Sequence, residues 1–194
     1  MKLFSRIAAA VTGLAVLGTS ASSALASPTN RGEGSLHAHQ VLWNQIEAAG
    51  VDVQVNHSHC DSDPDMMGFY AGQVRLLVVC QDNAAVGQRD AVQWTANDLD
   101  TLRHEAQHFI QDCMVGSNHD HVLSNVYKDP ARLAVSVLGA EGVRSIARAY
   151  TSRGASERTV ILEWEAFAVA RMNVPLEQAQ DIRTYCMGSN YARA

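Results

Sequence analysis

The apolar residues near the start of the chain follow two different spacings. Ser35 can cap a helix that ends at about Ala49, because Gly50 follows as a stop signal. Valines then alternate with polar residues over 51–55, which predicts a strand with one buried face. This part of the chain therefore mixes helix and sheet.

A hairpin is predicted next. Two apolar runs, 69–71 and 74–80, flank the turn-forming pair Gly72-Gln73. The segment Arg75–Val79 is almost continuously apolar, so we expect this strand to be well buried.

Helices are predicted for the rest of the chain. Apolar residues recur at helical spacing between a cap at Thr95 or Asn97 and an end near Cys113 or Gly116. Further helices are expected at 130–138, 141–150, 156–172 and 175–187. A small N-terminal sheet packed on the 97–113 helix, followed by a helical C-terminal half, predicts an α+β fold.

Residues 1–26 are predicted to be a signal peptide. Lys2 and Arg6 flank the start of the apolar segment 7–18, which is short for a membrane span, and Ala24-Leu25-Ala26 fits a cleavage site. The protein is therefore expected to be exported, to the periplasm or outside the cell. No stable membrane anchor is expected after processing.

The remaining chain is expected to form one acidic domain. Residues 27–34 are turn-formers and predict a flexible mature N-terminus, so the domain is assigned to 35–194. Without Lys2 and Arg6, 13 of the 15 basic residues remain against 20 acidic residues, a net charge of −7. This balance argues against a nucleic-acid-binding protein.

The four cysteines are expected to form two disulfides. They are even in number and widely spaced, with no Cys-x-x-Cys pair, and an exported protein meets an oxidising compartment. Three pairings are possible. We favour Cys60 with Cys80 across the hairpin, and Cys113 with Cys186 between the 97–113 helix and the last helix.

The segment 104–108 reads His-Glu-Ala-Gln-His and carries the clearest candidate chemistry. Residues four apart share one face of a helix, so His104 and His108 can bind one metal ion, and Glu105 can reach a water beside it. This is the HExxH arrangement, and the chain resembles the zincin class of zinc metallopeptidases at this segment. Gln111 and Met114 replace the Gly and His of metzincins, which excludes that subclass.

The resemblance implies a third ligand on a later helix. Glu163 and Glu165 stand in an otherwise apolar helix, where carboxylates are rare unless paired or bound to metal. The segment resembles the ligand helix of gluzincins, which assigns Glu163, followed by Ala166, as the ligand. Glu165 is the alternative, because helical spacing alone cannot rank the two. Phe167 departs from the acidic or amide residue common four positions after the ligand.

Other side chains are candidates to assist such a site. Three His-x-His pairs occur, at 37/39, 57/59 and 119/121, and each alone is more typical of a polar surface than of a metal site. Zincins also need a hydrogen-bond donor for the oxyanion. The candidate donors are His119, His121, Tyr127, Tyr150 and Tyr185.

The resemblance implies a minimal zincin-like domain that hydrolyses a peptide or protein substrate. Zn²⁺ would be held by His104, His108 and Glu163, with Glu105 as the general base. Strand Arg75–Val79 is expected to lie beside the cleft and pair with the substrate backbone. One alternative is a periplasmic zincin-like domain that binds a metal or a partner without turnover, which the extra histidine pairs would suit. A second is an exported structural or inhibitory domain in which the 104–108 pattern is accidental.

Overall fold

A computed structural model describes residues 32–63, 65–116, 122–172 and 174–188 of the chain. These residues form an α+β fold, as predicted. In chain order the helices and strands are α1 Gly32–Ala48, β1 Asp52–Val55, β2 Gly68–Ala71, β3 Leu76–Val79, α2 Ala96–Cys113, α3 Pro130–Thr151, α4 Glu157–Met172 and α5 Pro175–Asp181. None of the helices in these ranges is both long and apolar enough to span a bilayer. The predicted signal peptide lies outside the described residues.

Local capping explains most helix boundaries. Thr95 and Asp98 form a reciprocal capping box at the start of α2, in which each side chain accepts from the backbone N–H of the other. Asp129 caps α3. The predicted break at Gly139 is present as a kink within α3, where the residue adopts φ 71° and ψ 165°.

Two predicted boundaries were wrong. Helix α1 begins at Gly32, three residues before the predicted cap at Ser35. The last helix does not run evenly to Met187, because α5 gives way to a π-helical turn at Ile182–Cys186. Helix α1 packs against α5 and this turn.

The three strands form a mixed sheet in the order β1-β3-β2. Strand β3 pairs in parallel with β1 and antiparallel with β2. The prediction that Arg75–Val79 would pair with a substrate was therefore wrong. Strand β3 is the central strand, and its backbone hydrogen-bonding groups are used on both sides.

Helix α2 lies at the centre of the molecule. Every residue from Thr101 to Cys113 is buried, because α2 packs against α4 and α5 as well as against β2 and β3. Strand β2 approaches α2 so closely at Gly68 that a Cβ there would lie 2.6 Å from Thr101 Cγ2 and 3.3 Å from Glu105 Cγ. Glycine is therefore needed at this position for the strand to pass over the helix.

Both favoured disulfides are present. Cys113 pairs with Cys186 and joins the end of α2 to the π-helical turn, as expected. Cys60 pairs with Cys80, but Cys60 lies in a 3₁₀ turn, Ser58–Asp61, and not in a strand of the hairpin. Two disulfides in a chain of this size are consistent with an exported protein in an oxidising compartment.

The two disulfides should contribute unequally to stability. Their sequence separations are 73 for Cys113–Cys186 and 20 for Cys60–Cys80. The longer loop loses more entropy when it is closed in the unfolded chain, so we expect the double alanine variants to lose about 4 and about 3 kcal/mol, respectively. Denaturant unfolding of both variants measures the difference. An equal or larger loss for the Cys60–Cys80 variant would contradict this ranking.

Candidate metal centre

Three side chains from two helices meet at a point between α2 and α4. His104 Nε2 lies 3.1 Å from His108 Nε2, and both approach Glu163 Oε2, at 3.2 Å and 3.4 Å. All three side chains are buried. The structure thus brings together the two histidines of α2 and the carboxylate assigned as their partner on α4.

The distances fit the ligands of a metal ion. Bonds of 2.0–2.1 Å to a tetrahedral ion separate neighbouring ligand atoms by about 3.3–3.4 Å, close to the three observed edges. Among the described residues, these three are the group of His, Cys, Asp or Glu side chains whose ligand atoms converge closely enough to hold an ion. Two imidazole nitrogens and one carboxylate oxygen therefore form a donor set for a divalent metal.

Glu105 lies beside this group without contributing to it. Its side chain is 0 % exposed, and the backbone N–H of Tyr70 faces it. Burial raises the pKa of Glu105, against the opposing effects of His104, His108 and the backbone N–H of Tyr70. A buried carboxylate with a raised pKa, next to the histidines, is suited to accept a proton.

Charge couples Glu163 strongly to His108. Burial alone would raise the pKa of Glu163, but His108 and His104 reverse the direction and lower it. Burial alone would lower the pKa of His108, but Glu163 outweighs burial and raises the pKa to about 9. Without a metal, the carboxylate and the imidazole thus compensate each other's charge.

Tyr150 is the candidate donor that the structure places at this site. Its hydroxyl is buried and faces the carboxylate of Glu163. Burial, followed by the charge of Glu163, a hydrogen bond with Glu163 and the charge of Glu105, raises the pKa of Tyr150, so the hydroxyl keeps its proton. The hydroxyl can therefore act as a hydrogen-bond donor at this site.

The other candidate donors are elsewhere or not described. Burial raises the pKa of Tyr127, and the carboxylates that raise it further are those of Asp181, Glu165 and Glu177 rather than those of Glu163 and Glu105. Tyr185 is 40 % exposed. His119 and His121 lie outside the described residues.

The alternative ligand Glu165 has a different set of partners. Its carboxylate accepts hydrogen bonds from the side-chain amides of Gln107 and Gln111, both at 3.0 Å, and from the backbone N–H groups of Val126 and Tyr127. Glu165 therefore does not ligate with His104 and His108 in this arrangement.

Sequence reasoning missed Gln111. Its Oε1 lies 2.8 Å from His108 Nδ1, on the side of the ring opposite the proposed metal. The signal available in the sequence was a second polar pair four residues apart, Gln107 and Gln111, on the same predicted helix as the histidine pair. In the sequence alone, residue 111 stands out only as a departure from the metzincin pattern.

The departure at Phe167 has a structural counterpart. The ring of Phe167 packs against the imidazole of His104 with ring centroids 4.3 Å apart. His104 Nδ1 is buried and has no hydrogen-bond partner among the described residues. The two histidines are thus held differently, one by an aromatic ring and the other by an amide.

The remaining His-x-His positions that are described lie apart from this group. His39 is buried and contacts the guanidinium of Arg103, while His37 is exposed. The rings of His57 and His59 contact each other at a tilt, and each makes an edge-to-face contact with Phe69 of β2. Among the described residues, neither pair meets a third ligand.

The chain belongs to a family defined as a domain of unknown function, DUF8637, whose model matches residues 35–187. The matched range contains the three converging side chains, Glu105, Tyr150 and all four cysteines. No curated protein and no solved structure matches the chain.

Removal of Glu163 should abolish tight metal binding. Glu163→Ala deletes one of three ligands. Loss of a residue that only hydrogen-bonds a ligand typically weakens metal binding by about 10- to 100-fold, and we expect a larger loss of affinity for a divalent ion in this variant. The wild type should bind one ion per chain. Isothermal titration calorimetry and elemental analysis measure both quantities.

Glu157→Ala is the matched control, because Glu157 lies on the same helix but is exposed. Its affinity should equal that of the wild type. Retained metal in Glu163→Ala together with lost metal in Glu165→Ala would assign the ligand to Glu165 instead.

Proposed function

We propose that this protein is an exported zinc metallopeptidase that hydrolyses peptide bonds. The observation that carries the proposal is the convergence of His104, His108 and Glu163, with the buried carboxylate of Glu105 beside them. The two disulfides support an extracytoplasmic location.

The donor set favours zinc. Two histidines and one glutamate are the protein ligands of several catalytic zinc sites, and three ligands leave a fourth position for water or substrate. When bound there, zinc would polarise the scissile carbonyl and lower the pKa of its water to about 7.

Glu105 is proposed as the general base. It lies beside the two histidines, and a carboxylate has two oxygens and several lone pairs, so one of them can take the proton of the attacking water. The raised pKa of Glu105 makes this proton transfer more favourable and allows the same carboxyl group to deliver the proton to the leaving amine.

Tyr150 is proposed to stabilise the oxyanion. Its hydroxyl remains protonated and lies near Glu163 and Glu105, so it can donate a hydrogen bond as negative charge develops on the carbonyl oxygen. Tyr127 and Tyr185 are less suitable, because the surroundings of Tyr127 and the exposure of Tyr185 do not place them at the ligands.

Burial of the site favours one alternative, a metal-binding domain without turnover. His104, Glu105, His108 and Glu163 are at most 5 % exposed, whereas a peptidase must admit an extended chain. Both functions use the same metal centre, but only the peptidase hydrolyses a substrate. A wild-type protein that binds zinc and does not cleave an unfolded protein would have the alternative function.

Glu105→Gln should separate metal binding from hydrolysis. The amide cannot accept the proton of water, so kcat should fall by about 100- to 10,000-fold while zinc content is unchanged. The measurement is cleavage of a fluorescently labelled unfolded protein, with Glu157→Gln as the control of the same chemical change at an exposed position. Full activity in Glu105→Gln would remove this residue from the mechanism.

Tyr150→Phe should lower kcat without loss of zinc. Removal of one oxyanion donor typically costs about 100- to 1,000-fold in kcat. Tyr127→Phe is the matched control, because it removes the hydroxyl of a half-buried tyrosine whose neighbouring carboxylates are Asp181, Glu165 and Glu177. An equal, small effect of both variants would show that the Tyr150 hydroxyl does not contact the reacting carbonyl.

A further inference from the structure

Glu165 is a fully buried carboxylate whose hydrogen-bond donors within the described part of the chain are all neutral. It accepts from the amides of Gln107 and Gln111 and from the backbone N–H groups of Val126 and Tyr127. No lysine, arginine or histidine of the described chain forms an ion pair with it. Buried carboxylates are seldom retained without a nearby cation, which raises the question of what Glu165 compensates.

The amide of Gln111 connects Glu165 to His108. Gln111 Nε2 donates to Glu165 Oε1 at 3.0 Å and to the carbonyl oxygen of Leu162 at 3.1 Å. The carbonyl oxygen of Leu162 can only accept a hydrogen bond. The amide nitrogen must therefore face α4, and the amide oxygen must face His108.

This orientation specifies the tautomer of His108. The amide oxygen lies 2.8 Å from His108 Nδ1 and can only accept, so Nδ1 must carry a proton. In the neutral imidazole, the lone pair then lies on Nε2, the nitrogen that approaches His104 and Glu163.

We propose that Glu165 and Gln111 are positioning residues for the metal centre, and that Glu165 acts on the ligand His108 through the amide of Gln111. The proposal rests on the proposed metal centre but not on hydrolysis. The carboxylate polarises the amide, the amide holds Nδ1–H, and Nε2 becomes a stronger and better oriented donor to the metal. The charge that compensates Glu165 is the metal ion, which is reached through two side chains.

The same carboxylate also holds the segment that follows α2. The N–H groups of Val126 and Tyr127 converge on Glu165, so this segment is tied to the hydrogen-bonded chain that orients His108. His104 has no comparable arrangement, because its Nδ1 has no partner in the described chain and its ring packs on Phe167. Within the described chain, hydrogen bonds therefore orient His108 but not His104.

Gln107 is the matched control on the same helix. Gln107 donates to the same oxygen of Glu165 at the same distance, 3.0 Å. This hydrogen bond does not involve a ligand histidine. Gln107→Leu and Gln111→Leu both remove a donor to Glu165. Only Gln111→Leu also removes the acceptor of His108.

The test measures zinc affinity and the visible spectrum of the cobalt(II)-substituted protein. We expect Gln111→Leu to weaken zinc binding by about 10- to 100-fold and to shift the cobalt absorption bands. Gln107→Leu should stay within about threefold of the wild type and keep its spectrum. Thermal unfolding of each metal-free variant identifies any general loss of stability, and Gln111→Met, of similar length to glutamine, replaces the leucine variant if that variant does not fold.

A second measurement needs no variant. In the zinc-loaded wild type, nuclear magnetic resonance should show His108 bound through Nε2, with a slowly exchanging proton on Nδ1. Coordination through Nδ1, or equal zinc affinities and spectra for the variants at 107 and 111, would overturn the positioning role while leaving the metal centre intact. A wild-type protein that binds neither zinc nor cobalt would overturn the metal centre itself and the positioning role with it.

Discussion

The fold has to provide hydrogen-bond or charge partners for the polar side chains that α2 buries away from water. Two pairs four residues apart lie on this helix, His104 with His108 and Gln107 with Gln111, and all four side chains are buried. Polar groups in such a place destabilise the fold unless each finds a partner. Helix α4 supplies the partners with two carboxylates: Glu163 approaches the histidine pair, and Glu165 accepts from the glutamine pair.

The surrounding structure keeps these two helices in place. Strand β2 crosses α2 closely at Gly68, and the disulfide from Cys113 joins the end of α2 to the turn after α5. Helix α3 packs on α4 and brings Tyr150 towards Glu163. Because the site is buried, its charges are little screened, which explains the strong coupling between Glu163 and His108. The same burial would strengthen a metal's effect on bound water and carbonyl groups.

Much of the architecture could be predicted from local patterns. The capping signals at Thr95 and Asp129, the break at Gly139 and the alternation over 51–55 each report on a few neighbouring residues, and the corresponding elements are present. The π-helical turn at Ile182–Cys186 was missed, because the turn is joined to α2 by a disulfide and packs against α1 and α2, which local patterns do not report. The central place of β3 was missed for the same reason, since strand order is not a local property.

The sequence by itself determined the chemistry available to the site. His104, Glu105 and His108 lie on one helix whose periodicity sets their spacing, and two carboxylates in an apolar helix had to find partners. Only the tertiary structure decided between Glu163 and Glu165, because that choice depends on the rotation and height of α4 against α2. The tertiary structure also places Tyr150 near Glu163 and Gln111 in contact with His108. Helical spacing fixes positions within one helix, whereas contacts between helices are fixed by packing.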